Sequence, residues 1–158
     1  MATFFLGISF FTVDEFVSVF PLTKPLTVFP IVLVSLSKLK KDSSITTSTP
    51  IYCNGLSNVV LETYGSGEKP KFRCSGSAEN SYCIMFNNCD TMTLDGWEVS
   101  GSTSIWSILR NDSSNNTTIN NCTLNYALYN GPRGGFGIRG SGNNLKILNS
   151  YIGKCSND

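Results

Sequence analysis

The 158-residue chain contains no histidine. That absence excludes a Ser-His-Asp triad, a Cys-His nucleophile and a His-ligated zinc built from this chain alone. Charge is scarce as well: 15% of residues are charged, and 12 basic against 11 acidic side chains leave a net +1. Such a balance offers no basic stripe, so no nucleic-acid partner is expected. Long apolar runs are missing. Phe4–Val13 and Val28–Ser37 are apolar but fall well short of the ~20 residues that span a bilayer. Phe16 to Ser37 is longer, yet Pro21, Lys24, Pro25 and Pro30 interrupt it. The six cysteines, Cys53, Cys74, Cys83, Cys89, Cys122 and Cys155, form no CxxC and no close pair with zinc-finger spacing, so no metal is expected on them.

What is present is small and polar. Asn, Ser and Thr abound beside 14 glycines, and the 41% of apolar residues are placed periodically after about residue 50. That composition suits a β-rich chain with many corners rather than a disordered one. The cysteines either pair, in up to three disulfides, or sit reduced as small core residues. Sequons occur at Asn111, Asn115, Asn116 and Asn121. Together these favour a secreted or cell-surface location.

The chain divides unevenly. Residues 1–45 form an apolar N-terminal segment with no basic start, and Asp14 and Glu15 end its first run early. Three roles stand open for it: an atypical signal or anchor, a cap over the following domain, or sequence that forms nothing regular. Lys41–Pro50 is a linker or a first turn. Residues 46–158 carry a repeat.

Asn87–Val99 (NNCDTMTLDGWEV), Ser113–Asn125 (SSNNTTINNCTLN) and Gly142–Ile152 (GNNLKILNSYI) share one plan. Aligned on Leu94, Ile119 and Ile147, they are spaced 25 and then 28 residues apart. Five residues on stand Val99, Leu124 and Ile152, and two residues on stand Gly96, Asn121 and Asn149. A further short run precedes each unit: Tyr82–Phe86, Ser104–Leu109 and Gly135–Arg139. No segment has the i, i+3, i+4, i+7 pattern of a helix, whereas alternation over three to six residues indicates strands. Three short strands per unit, repeated, predict a parallel β-helix solenoid of about four coils.

The corners fit that reading. Asn tolerates left-handed backbone, and its amide can bond an identical Asn one coil away. Asn121 and Asn149 are placed for such a ladder, and Gly96 meets the same demand without a side chain. Trp97, Cys122 and Ser150 follow; if they face inward, Trp97 needs a wider coil or a place at an end. The expected core is Met92, Leu94, Val99, Ile119, Leu124, Leu145, Ile147 and Ile152.

The stretch Asn58–Phe72, with Tyr64, Gly65, Gly67 and Pro70, and then Leu94, Asp95, Gly96, Trp97 and Glu98, resembles right-handed parallel β-helix proteins of the pectate-lyase-like superfamily. The resemblance covers about Ser57 to Cys155. It implies an all-β, right-handed parallel β-helix and a carbohydrate-active protein of the polysaccharide-lyase kind, acting on acidic polysaccharide. A non-catalytic glycan-binding or structural surface solenoid is the alternative, and an orphan fragment a third reading. Family enzymes usually have eight or more coils. The chain is therefore expected to be a fragment, or to self-associate through open ends.

A lyase needs a base and charge neutralisation, often by calcium on clustered carboxylates; a hydrolase needs two carboxyls. No aspartate pair aligns in successive coils, so no calcium ladder is visible and no cofactor is expected. Asp95 and Glu98 flank the Gly96 corner, the first reading equally as a turn-former and the second as a solvated strand residue. The longest inserted loop, Asn125–Gly140, carries Tyr126 and Tyr129, which can stack on sugar rings, and Arg133 and Arg139, which can fork onto carboxylates. Lys146 is a candidate base or a solvated edge residue. The candidate catalytic set is thus Arg133, Arg139, Lys146 and Glu98, with Tyr126 and Tyr129 for substrate. Trp97 and Trp106 read as packing residues.

Overall fold

A run of three to six alternating residues cannot bury its apolar row alone; it must pair with the equivalent run one repeat away. The computed structural model describes residues 38–76, 81–101, 105–129 and 134–156, and these do so throughout. The first coil holds β1 (Lys38–Lys40), β2 (Ser44–Thr47) and β3 (Ile51–Asn54), and the second β4 (Ser57–Tyr64), β5 (Lys71–Cys74) and β6 (Tyr82–Asn87). The third holds β7 (Asp90–Asp95), β8 (Glu98–Ser100) and β9 (Ser107–Asp112), and the fourth β10 (Thr118–Asn120), β11 (Thr123–Asn125) and β12 (Phe136–Gly140). Strands β13 (Lys146–Leu148) and β14 (Tyr151–Gly153) begin a fifth. No helix occurs among the described residues.

Every third strand pairs in parallel. The first sheet runs β1-β4-β7-β10-β13, the second β2-β5-β8-β11-β14, and the third β3-β6-β9-β12. The chain is an all-β parallel solenoid of about four turns, as the repeat predicted. Its first strand lies at Lys38–Lys40, ahead of residue 46, and Lys41–Pro50 contains β2 of the first coil. Residues 1–37, most of the expected N-terminal segment, lie outside the described residues.

Like stacks on like. Leu61, Leu94, Ile119 and Ile147 form one register column in the first sheet. Ile45, Phe72, Val99, Leu124 and Ile152 form the matching column in the second. Met92, Leu94, Val99, Ile119 and Leu124 are fully buried as expected, and Ile152 packs partly buried against them. Two expected core residues are not buried: Leu145 is 38% and Ile147 45% exposed. Ile147 lies on β13 and Leu145 just before it, and β13 has a neighbour on one side only among the described residues. Each fully buried aliphatic side chain contributes about 1.5–3 kcal/mol.

The corners explain the asparagines. Gly96, Asn121 and Asn149 all take left-handed backbone, at φ 80°, 50° and 50°. A second column, Asn58, Thr91, Asn116 and Asn144, does the same at 58°, 54°, 52° and 57° at or just before the start of β4, β7, β10 and β13. The amide ladder at the first corner is offset from the expected one. Asn149 Nδ2 donates to Asn120 Oδ1 (3.2 Å), not to Asn121, and Asn120 Nδ2 donates to Asp95 Oδ1 (3.0 Å). Asn120 sits one residue earlier, on β10, where its side chain reaches the coils on both sides. At the second corner Asn144 Nδ2 bonds Asn116 Oδ1 (2.7 Å) and Asn116 Nδ2 bonds Asp90 Oδ1 (2.8 Å).

Trp97 is fully buried in the third coil, its ring 6.0 Å from that of Phe72 in the coil before. It lies at neither end. The small Cys122 and Ser150 beside it in the following coils leave the ring room, and Ser150 Oγ accepts the Cys122 N–H (2.9 Å). The cysteines take both fates allowed by the sequence. Cys74 and Cys83 form a disulfide, while Cys53, Cys89 and Cys122 are buried thiols. Burial, and then the neighbouring Cys89, push the Cys53 thiol up to about 12.

Candidate functional site

On a solenoid, chemistry is confined to outward-facing positions, where equivalent residues stack into rows one strand apart. The outer face of the third sheet has a row of Tyr52, Met85, Arg110 and Arg139. Tyr82, Ser107 and Phe136 form a second row on the same sheet.

These rows meet at Trp106. The Arg139 guanidinium lies 3.9 Å from the Trp106 ring centroid and 5.3 Å from that of Phe136. Phe136 stands edge-on to Trp106 at 5.6 Å. Tyr129 reaches the same place, since a Cβ added at Gly134 would strike both the Tyr129 and Trp106 rings. Trp106 itself is 2% exposed, so what it presents to solvent is the guanidinium laid over it. Its Nε1 is buried without a hydrogen-bond partner, and so is Ser107 Oγ beside it.

The two arginines differ in charge balance. Arg110 Nε bonds Asp112 Oδ2 at 2.6 Å and lies 5.7 Å from the Trp106 centroid. Arg139 is exposed and has no carboxylate partner among the described residues. A guanidinium held over an indole and not paired with a carboxylate keeps N–H donors for an anion. Tyr82 begins β6, in register with the buried Ser107. Its phenol is pushed up by burial first and then by Tyr52, with Arg110 opposing and Asp112 adding to the rise.

A second feature lies at the corner between the first two sheets. An open cleft of about 580 Å³ is lined by Asp95, Gly96 and Glu98 with Lys41, Lys69 and Thr123 among others. It holds no aromatic side chain. Gly96 is required there: a Cβ would come 2.8 Å from Thr63 Oγ1, and the backbone is left-handed.

The residues singled out in the sequence are distributed over the solenoid. Arg139 and Tyr129 come together at Trp106. Glu98 lies on β8 in the corner cleft, and Lys146 is exposed on β13 of the first sheet. Tyr126 stands at the corner after β11, where its hydroxyl accepts a bond from Lys154 Nζ (3.0 Å), which pushes the Lys154 ammonium pKa up. Arg133 lies outside the described residues. Sequence reasoning did not single out Arg110 or Tyr82, and read Trp106 as a packing residue ahead of a sugar platform. The signal available for them was the alignment of Ser104–Leu109 with Gly135–Arg139, which sets Arg139 beside Arg110 once the strands are in register.

Among the described residues no group of three or more Cys, Asp or Glu side chains could hold a metal ion. The described carboxylates therefore do not fit the calcium that the lyase resemblance implies. Comparison with protein-family models, with curated proteins and with solved structures gives no match.

Proposed function

We propose that the chain is a secreted or surface solenoid, similar to pectate-lyase-like β-helix proteins, that binds acidic polysaccharide without cleaving it. The outer face of the third sheet is the binding surface. One observation carries this reading: the Arg139 guanidinium lies 3.9 Å from the Trp106 ring centroid, exposed and with no carboxylate partner among the described residues, beside an Arg110 that Asp112 neutralises. A uronate carboxylate fits the open fork, and Phe136 and Tyr129 flank it as ring-sized apolar surfaces. The strand spacing of about 4.8 Å presents such contacts as a line along the solenoid axis, which suits a polymer. The Cys74–Cys83 disulfide supports an oxidising compartment.

Affinity electrophoresis with polygalacturonate, alginate and a neutral glucan tests this. The uronates retard the protein and the glucan does not. Arg139→Ala abolishes the retardation, with an expected loss of tenfold or more in affinity, about 1.4 kcal/mol. Equal retardation of wild type and Arg139→Ala, at unchanged thermal stability, removes the proposal.

A second reading, cleavage, has one observation in its favour: Asp95 and Glu98 share the corner cleft with Lys41 and Lys69. A lysine there would take the proton beside a uronate carboxylate. Ultraviolet absorbance from unsaturated products, present in wild type and absent in Lys69→Ala, would favour it over pure binding.

A further inference from the structure

Four sequons stand in the chain, and the fold treats their asparagines very differently. Asn111 points inward from β9. It is 2% exposed, and its Oδ1 accepts the Thr117 hydroxyl at 3.0 Å. Asn116 is exposed, but its Nδ2, the atom a glycan would use, donates to Asp90 in the corner ladder. Asn115 has its Oδ1 held by both the backbone N–H and the Nδ2 of Asn143, at 3.3 and 3.2 Å. Asn121 is exposed on the rim of the corner cleft, and its side chain makes no hydrogen bond among the described residues. The offset of the amide ladder onto Asn120 is what leaves it free.

We infer that Asn121 is an N-glycosylation site of this protein, with Thr123 as the sequon hydroxyl. The donor is a lipid-pyrophosphate-linked oligosaccharide. The Asn121 Nδ2 attacks C1 of the first sugar, a C1–N bond forms and the C1–O bond to pyrophosphate breaks. The amide proton leaves to solvent, and the lipid pyrophosphate departs with the bonding electrons. Transfer acts on extended chain, so the fold selects among products: a sugar on Asn111 would have to enter the core, and one on Asn116 would break a ladder bond. A sugar on Asn121 displaces no protein contact. It covers the corner cleft and leaves the Trp106–Arg139 face open.

This inference rests on the secreted location in the proposed function and not on polysaccharide binding. The experiment directs the full chain into the secretory pathway of a eukaryotic cell and recovers the folded, secreted protein. Release by peptide N-glycosidase converts a glycosylated Asn to Asp, which peptide mass spectrometry locates. The expected tag is at Asn121, with none at Asn111 or Asn116. Thr123→Val and Asn121→Gly each remove it; the first keeps the corner residue and the second copies the Gly96 solution. An unmodified Asn121 in the secreted protein, or a glycan on Asn111, overturns the assignment. Uronate binding is unaffected by either outcome, so failure here is separable from failure of the binding proposal.

Discussion

Ile119 and Ile147 are register partners on adjacent strands, yet Ile119 is fully buried and Ile147 is 45% exposed. The residue is the same, and each is followed two positions on by an Asn in a left-handed corner. What differs is company: β10 lies between β7 and β13, while β13 pairs with β10 alone among the described residues. The same contrast separates Leu124, fully buried, from Ile152, half-buried. In a solenoid burial belongs to the stack and not to the residue, because stability is a sum of neighbour terms.

The largest expected effect comes from the middle of the stack. Leu94 is flanked by Leu61 and Ile119 in register, all fully buried. Leu94→Ala should cost about 2–5 kcal/mol, read from urea denaturation midpoints, because strands on both sides fix the cavity walls. A cost below about 1 kcal/mol would mean that the inner coils collapse around the gap, and the contrast with the last coil would dissolve.

The buried thiols offer a pH test of the same interior. Cys53 has its folded pKa pushed from 9.0 up to about 12, with burial the first cause. A raised folded pKa keeps the thiol neutral in the native state while the unfolded chain ionises. Its stabilisation is therefore complete below pH 9.0 and is lost as pH rises through about 12. Unfolding midpoints should fall over that window, and Cys53→Ala should flatten the fall whatever it costs at neutral pH. An unchanged slope in Cys53→Ala would place the alkaline sensitivity elsewhere.

How far the fold was legible follows from the same contrast. The register of Leu94, Ile119 and Ile147 was readable because an apolar anchor recurs at a near-constant interval. The left-handed corners at Gly96, Asn121 and Asn149 were readable because only a few residue types tolerate them. The ladder partner was not, since whether Asn120 or Asn121 bonds across coils depends on side-chain direction within the corner. Nor was the exposure of Ile147, because periodicity marks the facing of a residue and says nothing of what covers it. The Trp106–Arg139 stack was hidden for a related reason. Its members are 33 residues apart, on either side of the longest insertion, and meet only through the pairing of β9 with β12.

A middle-sized effect is expected at the corners. Asn116→Gly keeps the left-handed backbone accessible and removes the amide that links Asp90 and Asn144. The expected cost is about 1 kcal/mol, with Asn116→Ala costing about 1 kcal/mol more because Ala resists positive φ. Equal costs for the two would show that the backbone at this corner relaxes out of the left-handed region.

The smallest effect is expected at Ile147. About half of its surface is already in water. Truncation there removes little transfer energy and leaves no enclosed cavity, because solvent fills the space. Ile147→Ala should cost about 0.5 kcal/mol, against about 2–5 kcal/mol for Ile119→Ala one strand away. The two substitutions share residue type, sheet and register, so their difference measures the contribution of a second neighbour and little else. Concentration provides the control. If Ile147→Ala costs as much as Ile119→Ala at high protein concentration and little at low, β13 is covered by another copy of the chain in solution. If the two cost the same at every concentration, the last coil is covered within one molecule, and the asymmetry between inner and outer coils is not a property of the folded protein.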